Sequence, residues 1–279
     1  MKVSVSYWMF EGGLEAVRPI PEAMQEAKDL GFDAIELAIA SEGILTNEST
    51  QSQCEDIVAE AQRIGIEISS LASGESWTCS PSSDDPETRK KIIDFTCKAL
   101  HVAKWLGTDA YLFVPGAVDV QWMPEVPVVA YDRCHERAVE AVGQIIPTAE
   151  ETGVSLCIEN VWNKYLLSPL EMRDFIDSFN NEIVASYFDV GNVLLYGYPD
   201  QWIRILGKRI KRIHVKDFDK SIGTLEGFPD LLEGDVDFEA VKQSLTDIGY
   251  DGYATAELLP FKPGRVKKAE QAMRQIFSH

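Results

Sequence analysis

Short apolar runs rich in β-branched residues recur along the chain, separated by longer stretches in which apolar residues return every three or four positions. Eight of the short runs have the length and composition of strands: 3–8 (VSVSYW), 33–39 (DAIELAI), 66–73 (IEISSLAS), 109–114 (DAYLFV), 154–160 (VSLCIEN), 184–190 (VASYFDV), 210–216 (IKRIHVK) and 253–258 (YATAEL). The stretches between them read as amphipathic helices, among them 21–31, 86–107 and 132–153. Gly31, Gly65, Gly107 and Gly153 each stand just before the next strand, where a left-handed residue stops a helix.

Eight β–α alternations predict an α/β fold in which a parallel sheet closes into a (β/α)₈ TIM barrel. No Gly/Ser-rich or Pro-rich linker and no shift in composition divides the chain, so residues 1–279 are expected to form one domain. The competing arrangement is an open doubly wound sheet. That fold usually carries a Gly-rich phosphate loop after its first strand, and FEGG at 10–13 is too short to be one.

Composition narrows the function. Of the 279 residues 45% are hydrophobic and 25% charged, which is ordinary globular usage with ample material for a core. Lys and Arg number 26 against 45 Asp and Glu, a formal net charge of −19. Such a surface repels phosphate backbones and anionic lipid, so neither nucleic acid nor membrane is an expected partner. No run approaches the roughly 18 consecutive apolar residues of a membrane span, and the opening MKVSVSYWMF reads as a strand rather than a signal peptide. The five cysteines are odd in number and form no C-x-x-C pair, which fits reduced thiols and a cytoplasmic location.

In a (β/α)₈ barrel, chemistry sits at the C-terminal ends of the strands. Here strand 5 closes with Glu159, strand 6 with Asp189 and strand 8 with Glu257, and strand 7 carries His214. Side chains alternate faces along a strand. Val154, Leu156 and Ile158 then face the helices while Ser155, Cys157 and Glu159 point inward, and Ile213 and Val215 flank His214 in the same way. Three carboxylates and one imidazole thus converge on one mouth. Like charges there would raise one another's pKa, and a divalent cation resolves the conflict. Oxygen-rich ligation with a single His suits Mn²⁺, Mg²⁺ or Co²⁺ better than a closed structural zinc site, with Zn²⁺ also open.

The motifs IEN (158–160), FDVGN (188–192), IHVKD (213–217) and AEL (256–258) resemble the xylose-isomerase-like sugar isomerase/epimerase superfamily. Within it the chain is similar to L-ribulose/L-xylulose-5-phosphate 3-epimerases and D-tagatose/D-psicose 3-epimerases. The resemblance implies that Glu159, Asp189, His214 and Glu257 hold one divalent metal, Mn²⁺ first, and that Glu159 and Glu257 are the acid/base pair. One Glu would remove a proton beside a ketose carbonyl, the metal would stabilise the enediolate, and the other Glu would return a proton to the opposite face. The resemblance also implies a small-molecule sugar or sugar phosphate as partner. The chain departs from the free-sugar 3-epimerases at three positions. Asn192 stands for a His, Lys220 for an Arg and Tyr165 for a second Glu.

Other residues carry secondary expectations. Lys216 shares the inward face with His214, where it would steady an enediolate oxygen or pair with a neighbouring acid. Lys220 and Asn192 would meet substrate hydroxyls or phosphate, and Glu36, inside AIELAIA, would hold a hydroxyl. Trp8, Trp122 and Trp162 lie at or beyond strand ends, where their rings would wall off one sugar face or simply pack. Lys262 and Arg265 follow strand 8, where barrels often bind phosphate, and 223–241 reads as a long rim or lid loop. His101, His135 and His279 are expected at surface or packing positions, and Cys157 lacks a His partner for nucleophilic chemistry.

The favoured function is a metal-dependent ketose or ketose-phosphate 3-epimerase or isomerase. A keto-sugar or inosose lyase/dehydratase would use the same enolisation. An endonuclease-IV-like repair enzyme would need a richer His set, and a non-catalytic sugar-binding barrel would need no acid/base pair. Rim helices of such barrels often pair, so a homo-oligomer is among the expectations.

Overall fold

The computed structural model describes residues 1–277; His279 lies outside them. Strands β1 (Lys2–Ser6), β2 (Ala34–Ala38), β3 (Glu67–Ala72), β4 (Ala110–Phe113), β5 (Ser155–Glu159), β6 (Val184–Asp189), β7 (Ile210–Val215) and β8 (Tyr253–Ala256) close into a parallel barrel in sequence order. Helices α1 (Ile20–Leu30), α2 (Gln51–Ile64), the short α3 (Glu75–Thr78), α4 (Pro86–Trp105), α5 (Tyr131–Thr152), α6 (Pro169–Asp177), α7 (Pro199–Leu206), α8 (Phe238–Asp247) and α9 (Arg265–Phe277) occupy the connections. The β8–β1 pairing, Lys2 to Tyr253 through Val5 to Ala256, completes the closed sheet and excludes the open one.

Local chemistry sets the helix ends. Gly31, Gly65 and Gly153 cap α1, α2 and α5 at φ of 108°, 78° and 72°, which cost a glycine little and a Cβ-bearing residue more. Thr50 and Gln53 form a reciprocal capping box at the start of α2, worth about 1 kcal/mol. Asp85 and Ser168 accept backbone N–H bonds in front of Pro86 and Pro169, which stand at the first helical positions.

Alternation divides the strands into two faces. Outward Val5, Ile35, Leu156, Ile158, Ile213 and Ala254 belong to the main apolar core between sheet and helices. Inward Ala72, Leu112, Cys157, Ala185 and Tyr187 form a separate cluster in the barrel lumen. Arg212 also points inward near the N-terminal end, donating to the Ser69 carbonyl at 2.8 Å and pairing with Asp109. The lumen is therefore a packed core rather than a pore.

Strand ends shift by a residue or two, and β8 stops at Ala256, so Glu257, expected to close that strand, follows directly after it. The first strand ends at Ser6, whose hydroxyl accepts from the Trp8 N–H as a 3₁₀ turn (Tyr7–Met9) begins, so Trp8 sits on a turn. The rim loop does not run to 241. It ends at Asp237, whose carboxylate caps α8 by accepting from the Ala240 N–H at 3.0 Å, and Phe238–Val241 is helix.

Candidate metal centre

Strand register assembles the site. Asp189 is paired with His214 across β6 and β7, and Val215 with Ala256 across β7 and β8, so Lys216 and Glu257 emerge side by side one residue later. Ligand atoms of Glu159, Asp189, His214 and Glu257 all lie within 4.8 Å of one another, and all four residues are buried. His214 Nδ1 is 3.0 Å from Glu257 Oε2 and 3.4 Å from Glu159 Oε1. Lys216 Nζ lies 2.8 Å from Asp189 Oδ2 and also contacts Glu257 Oε2.

The donor set fits a divalent cation. Asp189 Oδ2 and Glu257 Oε2 are fully buried and, although cations neighbour them, neither has an aligned hydrogen bond. Buried carboxylate lone pairs that Lys216 and His214 approach without good alignment cost free energy that a shared cation recovers. Three carboxylate oxygens and one imidazole nitrogen at one point are a hard, oxygen-rich set with a single borderline ligand.

Electrostatics within the cluster are uneven. Burial pushes the Glu159 carboxyl up to about 7, while His214 and Lys216 act in the opposite direction. Burial also opposes ionisation of Glu257, yet the adjacent His214 ring and Lys216 ammonium hold its carboxyl well below the usual range. Burial would lower the His214 pKa, but Glu257 and Glu36 raise it well above an ordinary histidine. Lys216 remains firmly charged because Asp189, Glu257 and Glu159 outweigh its desolvation. A ring nitrogen that binds a metal cannot also keep its proton, so occupancy by a cation would neutralise His214.

Groups around the ligands fix their directions. Glu36, expected to hold a substrate hydroxyl, instead lies beneath the site with Oε1 3.0 Å from His214 Nε2. Its Oε2 accepts from Ser70 at 2.9 Å and from the Tyr187 hydroxyl. Sequence reading missed this assembly because its members come from β2, β3, β6 and β7. Asn160 is a second omission: its side chain donates to the Asp189 carbonyl at 2.8 Å and accepts from the Asp189 N–H at 2.9 Å. Asn192 completes the clasp, its N–H on Asp189 Oδ1 at 2.8 Å and its amide on the Asn160 carbonyl at 3.0 Å. The IEN and GN motifs were the available signal.

A chamber of about 860 Å³ opens above the cluster, lined by Glu159, Glu257, Lys216 and Asn192 among its polar residues. Trp8, Trp122 and Trp162 all border it, joined by Trp77 from α3, which the sequence analysis did not single out. The Trp162 indole N–H donates to the Asn192 carbonyl at 2.8 Å, which fixes that ring. The pair after β8 does not reach the chamber. Arg265 is buried against Asp230 and the Pro260 carbonyl, and Lys262 is exposed outside the lining. Cys157 is buried in the lumen with its thiol pushed up to about 12 by desolvation, which suits packing rather than nucleophilic attack.

A family model described as xylose isomerase-like TIM barrel matches residues 24–278. The chain belongs to the xylose isomerase-like TIM barrel family. This xylose isomerase-like barrel is 24% identical over 258 residues to the D-psicose 3-epimerase of Ruminiclostridium cellulolyticum, covering 91% of this chain and 83% of that one. It is 24% identical over 247 residues to the L-ribulose-5-phosphate 3-epimerase UlaE of Escherichia coli O1:K1 / APEC, covering 88% and 84%. A crystal structure of D-psicose 3-epimerase in the presence of D-fructose superposes with a TM-score of 0.81 at 19% identity, covering all of both chains. That likeness is one of fold.

Of the three positions at which this xylose isomerase-like barrel departs from the free-sugar epimerase pattern, Asn192 alone borders the chamber. Lys220 is exposed and outside the lining, its backbone N–H bound to Asp235 at 2.8 Å. Tyr165 is buried in the helical layer with its hydroxyl 2.9 Å from His135 Nδ1.

Proposed function

We propose that the chain, as one domain spanning 1–279, is a divalent-metal-dependent ketose or ketose-phosphate 3-epimerase or isomerase, with Mn²⁺ the first choice of metal. The observation that carries this reading is the convergence of Glu159, Asp189, His214 and Glu257 within 4.8 Å at the C-terminal mouth of the barrel. Relatives named as 3-epimerases on free and phosphorylated ketoses support the same class of chemistry.

A metal held by these four residues would polarise the carbonyl and neighbouring hydroxyl of a bound ketose, making the proton between them more acidic. The protein supplies the proton traffic. Glu159 and Glu257 come from β5 and the end of β8, three strands apart around the closed sheet, and would face opposite sides of a carbon seated between them. Which of them begins depends on the configuration of the substrate, so the two are assigned jointly. Lys216 offers a fixed positive charge to the developing oxyanion. Trp8 and Trp162 shelter the reacting carbon from water, and Asn192 presents polar atoms at the wall. Lys220 has no part in this reading.

Deuterium incorporation tests it. Metal-stripped protein restored with Mn²⁺ and supplied with ketoses in D₂O should introduce label at C3, in a reaction abolished by Glu159→Gln or Glu257→Gln. Label at C1 or C2 would make the enzyme an aldose–ketose isomerase. Metal binding without exchange on any sugar would overturn the epimerase assignment.

A further inference from the structure

The chamber is strongly two-sided. Its charged floor comes from the β5–β8 half of the barrel, where Glu159, Lys216 and Glu257 stand. The opposite half, from the ends of β2–β4, presents Ala38, Ile39, Leu112 and Val114 with the Trp77 and Trp122 rings above them. Trp77 and Trp122 meet edge-on with centroids 4.9 Å apart, and Trp162 and Phe228, which also line the chamber, lie 5.2 Å apart. The 860 Å³ volume falls at the upper end of the roughly 300–1,000 Å³ of ordinary ligand pockets, several times what a six-carbon sugar fills.

Charge decides what fills the remainder. Among the described lining residues the one Lys or Arg is Lys216, on the floor and already engaged by Asp189 and Glu257. The charge on the far wall is an acid, Glu75. A phosphate carried at the distal end of a ketose would therefore meet aromatic rings, the hydroxyls of Ser73 and Thr78 and a carboxylate, with no Lys or Arg to balance it, in a chain of net charge −19. Flat rings with fixed geometry instead favour an uncharged ring with an apolar face.

Given the proposed enolising chemistry, we infer that the substrate is an unphosphorylated ketose extended by a second, uncharged ring that lies between the Trp77–Trp122 and Trp162–Phe228 pairs. The second ring is either another sugar or an aryl group, since both present an apolar face to indole.

The test compares C3 deuterium exchange by the Mn²⁺-loaded enzyme on D-fructose, D-fructose 6-phosphate, isomaltulose (a glucosyl-fructose) and 6-O-benzyl-D-fructose. A ring-extended ketose should exceed D-fructose in kcat/KM by about tenfold, mostly through a lower KM. Trp122→Ala should bring it back toward D-fructose. Isomaltulose leading would identify the second ring as a sugar, and the benzyl ether leading would identify it as aryl. D-fructose 6-phosphate leading, or all four sugars equal, would overturn the inference. Quenching of tryptophan fluorescence by the same four sugars separates it from the enolisation reading. Tighter binding of a ring-extended ketose without exchange would sink the epimerase assignment and keep the substrate class, whereas exchange with equal affinities would do the reverse.

Discussion

Glu36 and His214, 178 residues apart in sequence, meet inside the barrel with Oε1 3.0 Å from Nε2. The contact grips the imidazole on the side away from Glu159 and Glu257, which leaves Nδ1 turned toward the carboxylates. A carboxylate behind a histidine fixes its tautomer and strengthens it as a ligand, and losing such a partner typically costs 10–100-fold in metal affinity. Glu36→Gln should therefore weaken Mn²⁺ binding by about tenfold or more while leaving circular dichroism unchanged. Tyr187→Phe, which removes one donor to Glu36, should have a smaller effect in the same direction. Unaltered Mn²⁺ affinity by calorimetry in Glu36→Gln would show that packing alone orients the ring.

Lys216 contacts Asp189 and Glu257 at the same oxygens a metal would use, so the two would compete. Without a divalent ion its ammonium offsets buried carboxylates; with one, that work passes to the ion. Lys216→Met should destabilise metal-free protein by about 3 kcal/mol, the range seen when one member of a buried pair is removed. The loss should be much smaller in Mn²⁺-loaded protein, so the gain in melting temperature on adding Mn²⁺ should be larger in the variant than in the wild type. Equal gains in differential scanning fluorimetry would mean that the ammonium and the ion do not share these oxygens.

The barrel and its four convergent residues were legible because each rests on a local pattern: strand alternation, glycine stops, and polar residues closing apolar strands. Phe188–Asp189 and Ile213–His214 state their faces within two residues. The role of Glu36 was not legible, since an inward carboxylate on β2 looks alike whether it meets a sugar or an imidazole from β7. Lys220 misled for a related reason. Its spacing from His214 matches a substrate-reading position, but two residues beyond the buried Phe218 the chain has reached the surface, and Lys220 stands exposed outside the chamber lining. Trp77 escaped notice because four-residue α3 carries too little periodicity to announce itself.

Asp230 ties the rim loop to the start of α9, where Arg265 Nε donates to it at 2.8 Å and Lys268 lies 3.1 Å away. Burial opposes ionisation of Asp230, but these two cations prevail and its carboxyl is held below the ordinary value of 3.8. A carboxyl depressed in the folded state stabilises above its unfolded pKa and loses that contribution as pH falls through the folded value. Asp230→Asn should thus cost about 1–2 kcal/mol at pH 7, where Arg265 is left buried against a neutral amide. The difference from wild type should shrink steadily below pH 4. Urea unfolding at pH 7 and pH 3 would refute this if the gap were the same at both.

Asp217 holds the loop between β7 and α8 from its inner side. Its Oδ1 accepts from the Phe218 N–H at 2.8 Å and the Val236 N–H at 3.1 Å, and its Oδ2 from the Gly234 N–H at 2.9 Å. One carboxylate thus fastens both ends of an excursion whose middle carries Leu225 and Phe228 to the chamber wall. A Cβ at Gly234 would stand 2.4 Å from Asp217 Oδ1, so glycine is required for that approach. Asp217→Ala leaves three N–H groups to find other acceptors, at about 1–3 kcal/mol for those that stay buried. The loss should be local. Amide exchange should accelerate across 218–236 with little change in β1–β4, and KM should rise more than kcat falls, because the loop shapes the wall while the carboxylates proposed to transfer protons come from β5 and the end of β8. Exchange protection unchanged across the loop would mean that apolar packing of Phe218 and Phe228 against Trp162 holds it without the carboxylate.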